Sequence, residues 1–191
     1  MLRYRTFGVY SVYPSWANSN RQASVMYRRV SDFLSDWKEE SQSTRNVLEA
    51  LSDESLAQRV TPTGRGLGKL GWHIAQSLHM VTEAGLEGLN APKEHEAVPA
   101  SARAILKAYT EAADSLARVV EKGWTDAQLG DEVPMYGESW ARGKVLSVIV
   151  RHEAHHRGQM TVLMRQAGLV VPGPYGPARE QWASYGMEPQ D

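Results

Sequence analysis

Cysteine is absent from the chain. Disulfides, Cys-ligated zinc and a protein thiol nucleophile are therefore excluded, and any sulfur chemistry must use a thiol brought in from outside. Long apolar runs are missing too. No stretch approaches the ~18 residues that a membrane-spanning helix requires, and the apolar run of a secretory signal is not found near the start. Nor does one sign of charge dominate. The formal net charge of −1 gives no electrostatic reason to expect nucleic acid as a partner. Neither a membrane nor a nucleic-acid role is expected, and the cysteine-free composition fits a reducing, cytoplasmic setting.

Acidic residues are also missing from the first 25 positions, which carry Arg3, Arg5, Arg21 and several aromatics without a sustained helical period. Two readings exist for such a start. The favoured one is a poorly structured extension over residues 1–25 upstream of a natural start at Met26; the other is an organellar transit peptide.

What is present points to one globular domain over residues 26–191. The chain has 191 residues, 42% of them hydrophobic and 23% charged, enough to bury one substantial core. From Met26 onward apolar residues recur at the helical period. The spacing predicts helices over about 27–51, 66–86, 99–123 and 138–167. Val30, Phe33, Leu34, Trp37, Thr44, Leu48 and Leu51 form the inward stripe of the first, and Leu70, His73, Ser77, Met80, Val81 and Ala84 that of the second. Ser52 and Asp53 offer a cap for a short turn carrying Leu56. Thr61-Pro62-Thr63-Gly64-Arg65-Gly66 and Asn90-Ala91-Pro92 punctuate the chain, and Gly123 is a natural stop. No segment reads as strand. The expected fold is all-α, a four-helix bundle with a loop-rich C-terminal tail around Pro172–Pro177.

The informative segment is Arg151-His152-Glu153-Ala154-His155-His156-Arg157-Gly158-Gln159. At about 100° per residue, His156 lies roughly 40° from His152, and Gln159 and Leu163 each lie within about 20°. Ala141, Val145 and Val148 fall on the same stripe. His152 and His156 thus occupy positions that the rest of the helix fills with apolar side chains. Two neutral imidazoles facing a core each need a hydrogen-bond partner, and two imidazolium ions there repel. One shared metal ion resolves both problems. His73 is a third inward histidine, between Leu70 and Ser77. The spacing also admits a pair of His152 with His155, at about −60°, ranked second. His79 points towards an edge and solvent, and His95 sits in a loop without a partner.

The same segment satisfies H-E-x-x-H, the zinc-protease pattern in which the Glu is general base. Its extended form is not met, since Gln159 and Val162 stand where Gly and His would follow. A peptidase is therefore disfavoured. Glu153, about 100° round the helix from His152, is either a candidate to polarise metal-bound water or a solvated surface residue. Arg157, at about 140°, reads as solvated or helix-packing.

The run His152-x-x-x-His156-Arg157-Gly158-Gln159, with the earlier Gly71-Trp72-His73-Ile74 and the closing Pro174-Tyr175-Gly176-Pro177, resembles the DinB/YfiT-like metal-binding superfamily. The resemblance spans about residues 26–177. It implies a four-helix bundle in which His73, His152 and His156 hold one divalent transition metal, zinc or nickel, frequently in a homodimer. It further implies a metal-dependent thiol S-transferase that uses an external low-molecular-weight thiol on a small-molecule substrate. Two alternatives stand beside it: a hydrolase using metal-bound water, and a non-enzymatic metal-stabilised binding module. Gln159 and Glu153 are the candidate catalytic residues, with Gln159, Arg157 and Gln76 able to orient ligands or substrate. Trp72 and Trp140 are candidates to wall a pocket, and Arg65 and Arg142, in glycine-containing loops, to hold a carboxylate.

Overall fold

Apolar side chains at helical spacing build α1, Val30–Glu49, which buries Phe33, Trp37, Thr44, Val47 and Leu48 on one face. Each large apolar side chain so buried contributes roughly 1.5–3 kcal/mol. The computed structural model describes residues 26–189; the expected extension over 1–25 lies outside the described residues. α2 is Leu67–Ser77, α3 the single turn Met80–Glu83, α4 Ala102–Gly123 and α5 Arg142–Gln166. The four long helices form a bundle in which α1 and α2 each pack on both α4 and α5.

Two helix starts are completed from a distance. The Val30 N–H donates to Asp126 Oδ1 at 2.8 Å, and the Ala102 N–H to Asp53 Oδ1 at 2.7 Å. Asp53 thus caps α4, whereas the sequence suggested a role in its own short turn. That turn, Glu54–Ala57, has no side-chain cap from Asp53. Trp37 ties α1 to α4 by donating its indole N–H to the Ala113 carbonyl at 3.0 Å.

α2 lies close to its neighbours because Gly71 has no side chain. A Cβ there would stand 2.8 Å from Leu48 Cδ2 and 3.2 Å from Ile105 Cγ2. The close approach brings the following turn, with His73, against α5. The predicted single helix over 66–86 is interrupted after Ser77. The Ser77 hydroxyl donates back to the Ile74 carbonyl at 2.8 Å and the His79 N–H bonds to Gln76, tightening the turn.

The absence of strand is corrected by a small hairpin. β1, Glu132–Met135, pairs antiparallel with β2, Glu138–Ala141, with Val133 opposite Trp140. Tyr136 and Gly137, at φ 51° and 81°, form the tight turn between them. The segment from Glu138, expected to open the last helix, is therefore strand, and α5 begins at Arg142. Strands of four residues are too short to display a period of two that competes with the helical pattern beside them.

Candidate metal centre

α2 supplies His73 and α5 supplies His152 and His156, and their ligating nitrogens all lie within 4.8 Å of one another. The ring centroids are 5.0 Å apart for His73 and His152, 4.8 Å for His73 and His156, and 4.4 Å for His152 and His156. All three pairs meet edge to face. The Nε2 atoms of His152 and His156 are 3.1 Å apart. Two nitrogens bound tetrahedrally to one ion at ~2.0–2.1 Å stand about 3.3–3.4 Å apart, so this pair is close to the required spacing. Nδ1 of His152 is buried and has no hydrogen-bond partner. The three imidazoles, without a carboxylate among them, fit a borderline-soft divalent ion such as those that favour nitrogen ligands.

Their protonation suits that use. Burial, followed by the positive charge of neighbouring groups, holds His73 and His152 down at about 4, and burial lowers His156 as well. The imidazoles are thus neutral, the form that ligates a metal. Gln159 fixes which nitrogen of His156 is available. Its amide nitrogen faces His155 Nε2 at 3.1 Å, which leaves its oxygen to accept from His156 Nδ1 at 2.8 Å. The proton sits on Nδ1, and Nε2 presents its lone pair to the cluster. Gln159 was expected to be inward; it lies at the exposed edge, yet still contacts both histidines. His155 belongs to this outer layer, with its ring 4.9 Å from that of His156, and not to the cluster.

Two cavities reach the histidines. One, of about 510 Å³, touches His73 and His152 and is lined also by Gln76, Met80, Glu94 and Tyr136. The other, of about 530 Å³, touches His156, Gln159 and Arg65. His79, expected at a solvent-facing edge, is half-buried on the first cavity and bonds through Nε2 to the Ala91 carbonyl at 3.1 Å. Gln76 donates to the carbonyls of Lys93 and Glu94 at 2.6 and 3.1 Å, so it secures the loop over that cavity. Trp72 and Trp140 line neither. The Trp72 indole donates to the Glu96 carbonyl at 3.1 Å, and Trp140 packs on the hairpin against Tyr136. Arg142 does not await a ligand either, being bound to Asp131 at 2.9 Å and stacked over Trp124.

Glu153 and Arg157 are where the structure departs most from the sequence reading. Neither is solvated; both are fully buried. Glu153 Oε2 accepts from Thr44 of α1 and Tyr109 of α4, each at 2.9 Å. Its Oε2 is therefore engaged on the α1–α4 side, its buried Oε1 has no hydrogen-bond partner among the described residues, and the carboxylate is not part of the histidine cluster, which speaks against the zinc-protease reading of the segment. Burial pushes its pKa up to about 7, against the pull of those hydrogen bonds and of Arg157. Arg157 lies 3.8 Å from Glu153 and donates to Thr44 Oγ1 at 2.8 Å, to the Glu40 carbonyl at 2.9 Å, and to the Glu40 carboxylate and Tyr175 hydroxyl. Of these partners Glu40 carried no local signal in the sequence, whereas Tyr109 falls at helical spacing with Ile105 and Ala112 and Tyr175 stands in the Pro174–Pro177 run.

Comparison with known proteins agrees with the helical fold. The DinB family model matches residues 26–191. The uncharacterized protein YrdA of Bacillus subtilis is 39% identical over 163 residues, covering 85% of this chain and 98% of that protein. The crystal structure of a DinB-like protein from Bacillus cereus superposes with a TM-score of 0.74 at 36% identity, over 78% of this chain and 99% of that one. A second DinB-like structure, YjoA of Bacillus subtilis, shares the fold with a TM-score of 0.58 at 21% identity, over 75% of this chain and 97% of that one. With the family model matched over residues 26–191 and the relatives alike over most of their length, this chain belongs to the DinB family.

Proposed function

We propose that this chain is a metal-dependent thiol S-transferase. His73, His152 and His156 would hold one divalent ion, and a small external thiol would be joined to an electrophilic carbon in the adjoining cavity. The observation that carries the reading is a cluster of three neutral imidazoles, with no fourth histidine or carboxylate completing it among the described residues, open to two cavities. Open three-ligand sites suit catalysis, whereas structural sites are usually closed by four protein ligands. An ion in such a site supplies Lewis acidity, which lowers the pKa of a thiol or water in the remaining position.

What the protein residues do favours the thiol. Gln159 keeps His156 in the ligating tautomer. The buried Glu153 is turned away, so the obvious candidate base for water is withdrawn from the cluster. A thiol, with an ordinary pKa of about 8.5, needs far less help than water to ionise. It also provides the sulfur that a cysteine-free chain cannot.

Elemental analysis of untagged protein, with His73→Ala, His152→Ala, His156→Ala and His155→Ala variants, tests the centre. One metal per chain is expected, lost in the first three variants and kept in the fourth. The loaded protein is then assayed with 1-chloro-2,4-dinitrobenzene and small thiols, where a carbon–sulfur bond forms and chloride leaves. A parallel assay offers p-nitrophenyl acetate without thiol. Turnover that needs metal and thiol supports the transferase; ester cleavage without thiol would replace it with the hydrolase. Well-folded protein that takes up no metal would overturn both.

A further inference from the structure

The second cavity has a composition that the proposed chemistry leaves unexplained. Val60, Leu70, Val162 and Leu163 give it an apolar wall, His156 and Gln159 reach it from the histidine cluster, and Arg65 stands at its edge. Val60 and Val162 are 68% and 52% exposed, so this wall faces an open space and is not sealed core. Arg65 makes no hydrogen bond or ion pair among the described residues, in contrast to Arg45, Arg142 and Arg157, each of which is held by a carboxylate. Among the described residues no carboxylate lines this cavity to balance it.

We infer that this cavity is an anion subsite, in which Arg65 pairs with the carboxylate of a small ligand whose apolar part lies along Val60, Val162 and Leu163 beside His156. A guanidinium presents paired N–H donors that match a carboxylate edge to edge. One cation and an apolar wall select a monoanion with a short hydrocarbon body. The adjacent His156 places such a ligand's other end at the cluster. The inference deepens the transferase reading and rests on it for the identity of that other end: a ligand bearing both a thiol and a carboxylate would span the subsite and the metal centre.

The test uses zinc-loaded full-length protein and four probes: 3-mercaptopropionate, its methyl ester, butyrate and methyl butyrate. Dissociation constants are measured by titration calorimetry for wild type, Arg65→Gln and Arg65→Lys, with zinc content determined in each. The acid-to-ester ratio reports on Arg65, and the thiol-to-methyl ratio reports on the metal centre. Wild type is expected to prefer each acid over its ester by roughly tenfold, the worth of one good charge-assisted contact. Arg65→Gln should remove most of that preference with zinc content unchanged, and Arg65→Lys should keep only part. An acid preference that survives intact in Arg65→Gln, or none in wild type, overturns the subsite. A thiol-to-methyl ratio near one with the acid preference preserved would instead overturn the thiol reading and leave the subsite standing.

Discussion

Gln159 and His156 form a donor–acceptor pair in which the amide oxygen, 2.8 Å from Nδ1, determines the nitrogen that His156 offers to the cluster. Gln159 is one turn beyond its partner on α5, so the helix itself delivers the contact. Replacing Gln159 with Leu keeps the bulk and removes the acceptor. Metal affinity, measured by competition with a chromogenic chelator, is expected to fall about 10–100-fold, the usual cost of losing such an outer partner. Affinity equal to wild type would show that His156 needs no such fixing.

Arg157 is the most heavily committed charge in the bundle. Its side chain is 0% exposed, and it faces Glu40 at 12% and Glu153 at 0% exposure. Arg157→Met leaves two carboxylates without their cation. Breaking a buried pair from one side costs about 3–5 kcal/mol, which denaturant unfolding would record. Arg157→Lys is expected to recover little, because a single ammonium cannot serve Glu40, Thr44 and Tyr175 together. A loss below about 1 kcal/mol, the range of surface pairs, would contradict the burial.

Glu153→Gln separates the two readings of the H-E-x-x-H segment. Gln retains an oxygen for Thr44 and Tyr109 and occupies nearly the same volume. Metal content and any metal-dependent turnover should therefore persist. A fall in turnover of two or more orders of magnitude, the scale of a lost general base, would restore Glu153 to the chemistry.

The chelated protein should lose stability as the medium is acidified from neutrality. His73 and His152 fall from 6.5 to about 4 on folding, chiefly through burial. As pH drops through 6.5 the unfolded chain takes up protons at these positions, while the folded chain does so only near 4. Their contribution is fully present above 6.5 and is lost on the way down to 4. Glu153, raised from 4.5 to about 7, acts in the opposite sense across part of that window. The measurement is therefore best made on EDTA-treated Glu153→Gln protein, whose melting temperature should fall between pH 7 and pH 5. A flat profile would contradict the burial of the two imidazoles.

The long helices and the histidine cluster were legible because both depend on angle around one axis. His152, His156 and His73 fall on stripes otherwise filled by Val, Leu and Met, and the bundle turns those stripes towards each other. Glu153 and Arg157 were not legible for the complementary reason. Their angles from His152 place them off the histidine-bearing stripe, but only tertiary packing shows that α1, α4 and the Pro174–Tyr175 loop cover that side. The Tyr136-Gly137 turn hid in a segment too short to show its own period. Arg65 and Arg142 looked alike in sequence and were separated only by Asp131 and Trp124, which claim one and not the other.

The two long-range caps bear on how the molecule assembles. Asp126 is 96 residues from Val30, and Asp53 is 49 residues from Ala102. Excised as peptides, α1 and α4 would each lack the acceptor that closes their first turn and would fray there. In the intact chain those turns can lock only once distant loops have arrived. Protection of the Val30 and Ala102 amides from hydrogen–deuterium exchange should thus be gained last in folding and lost first in its reversal.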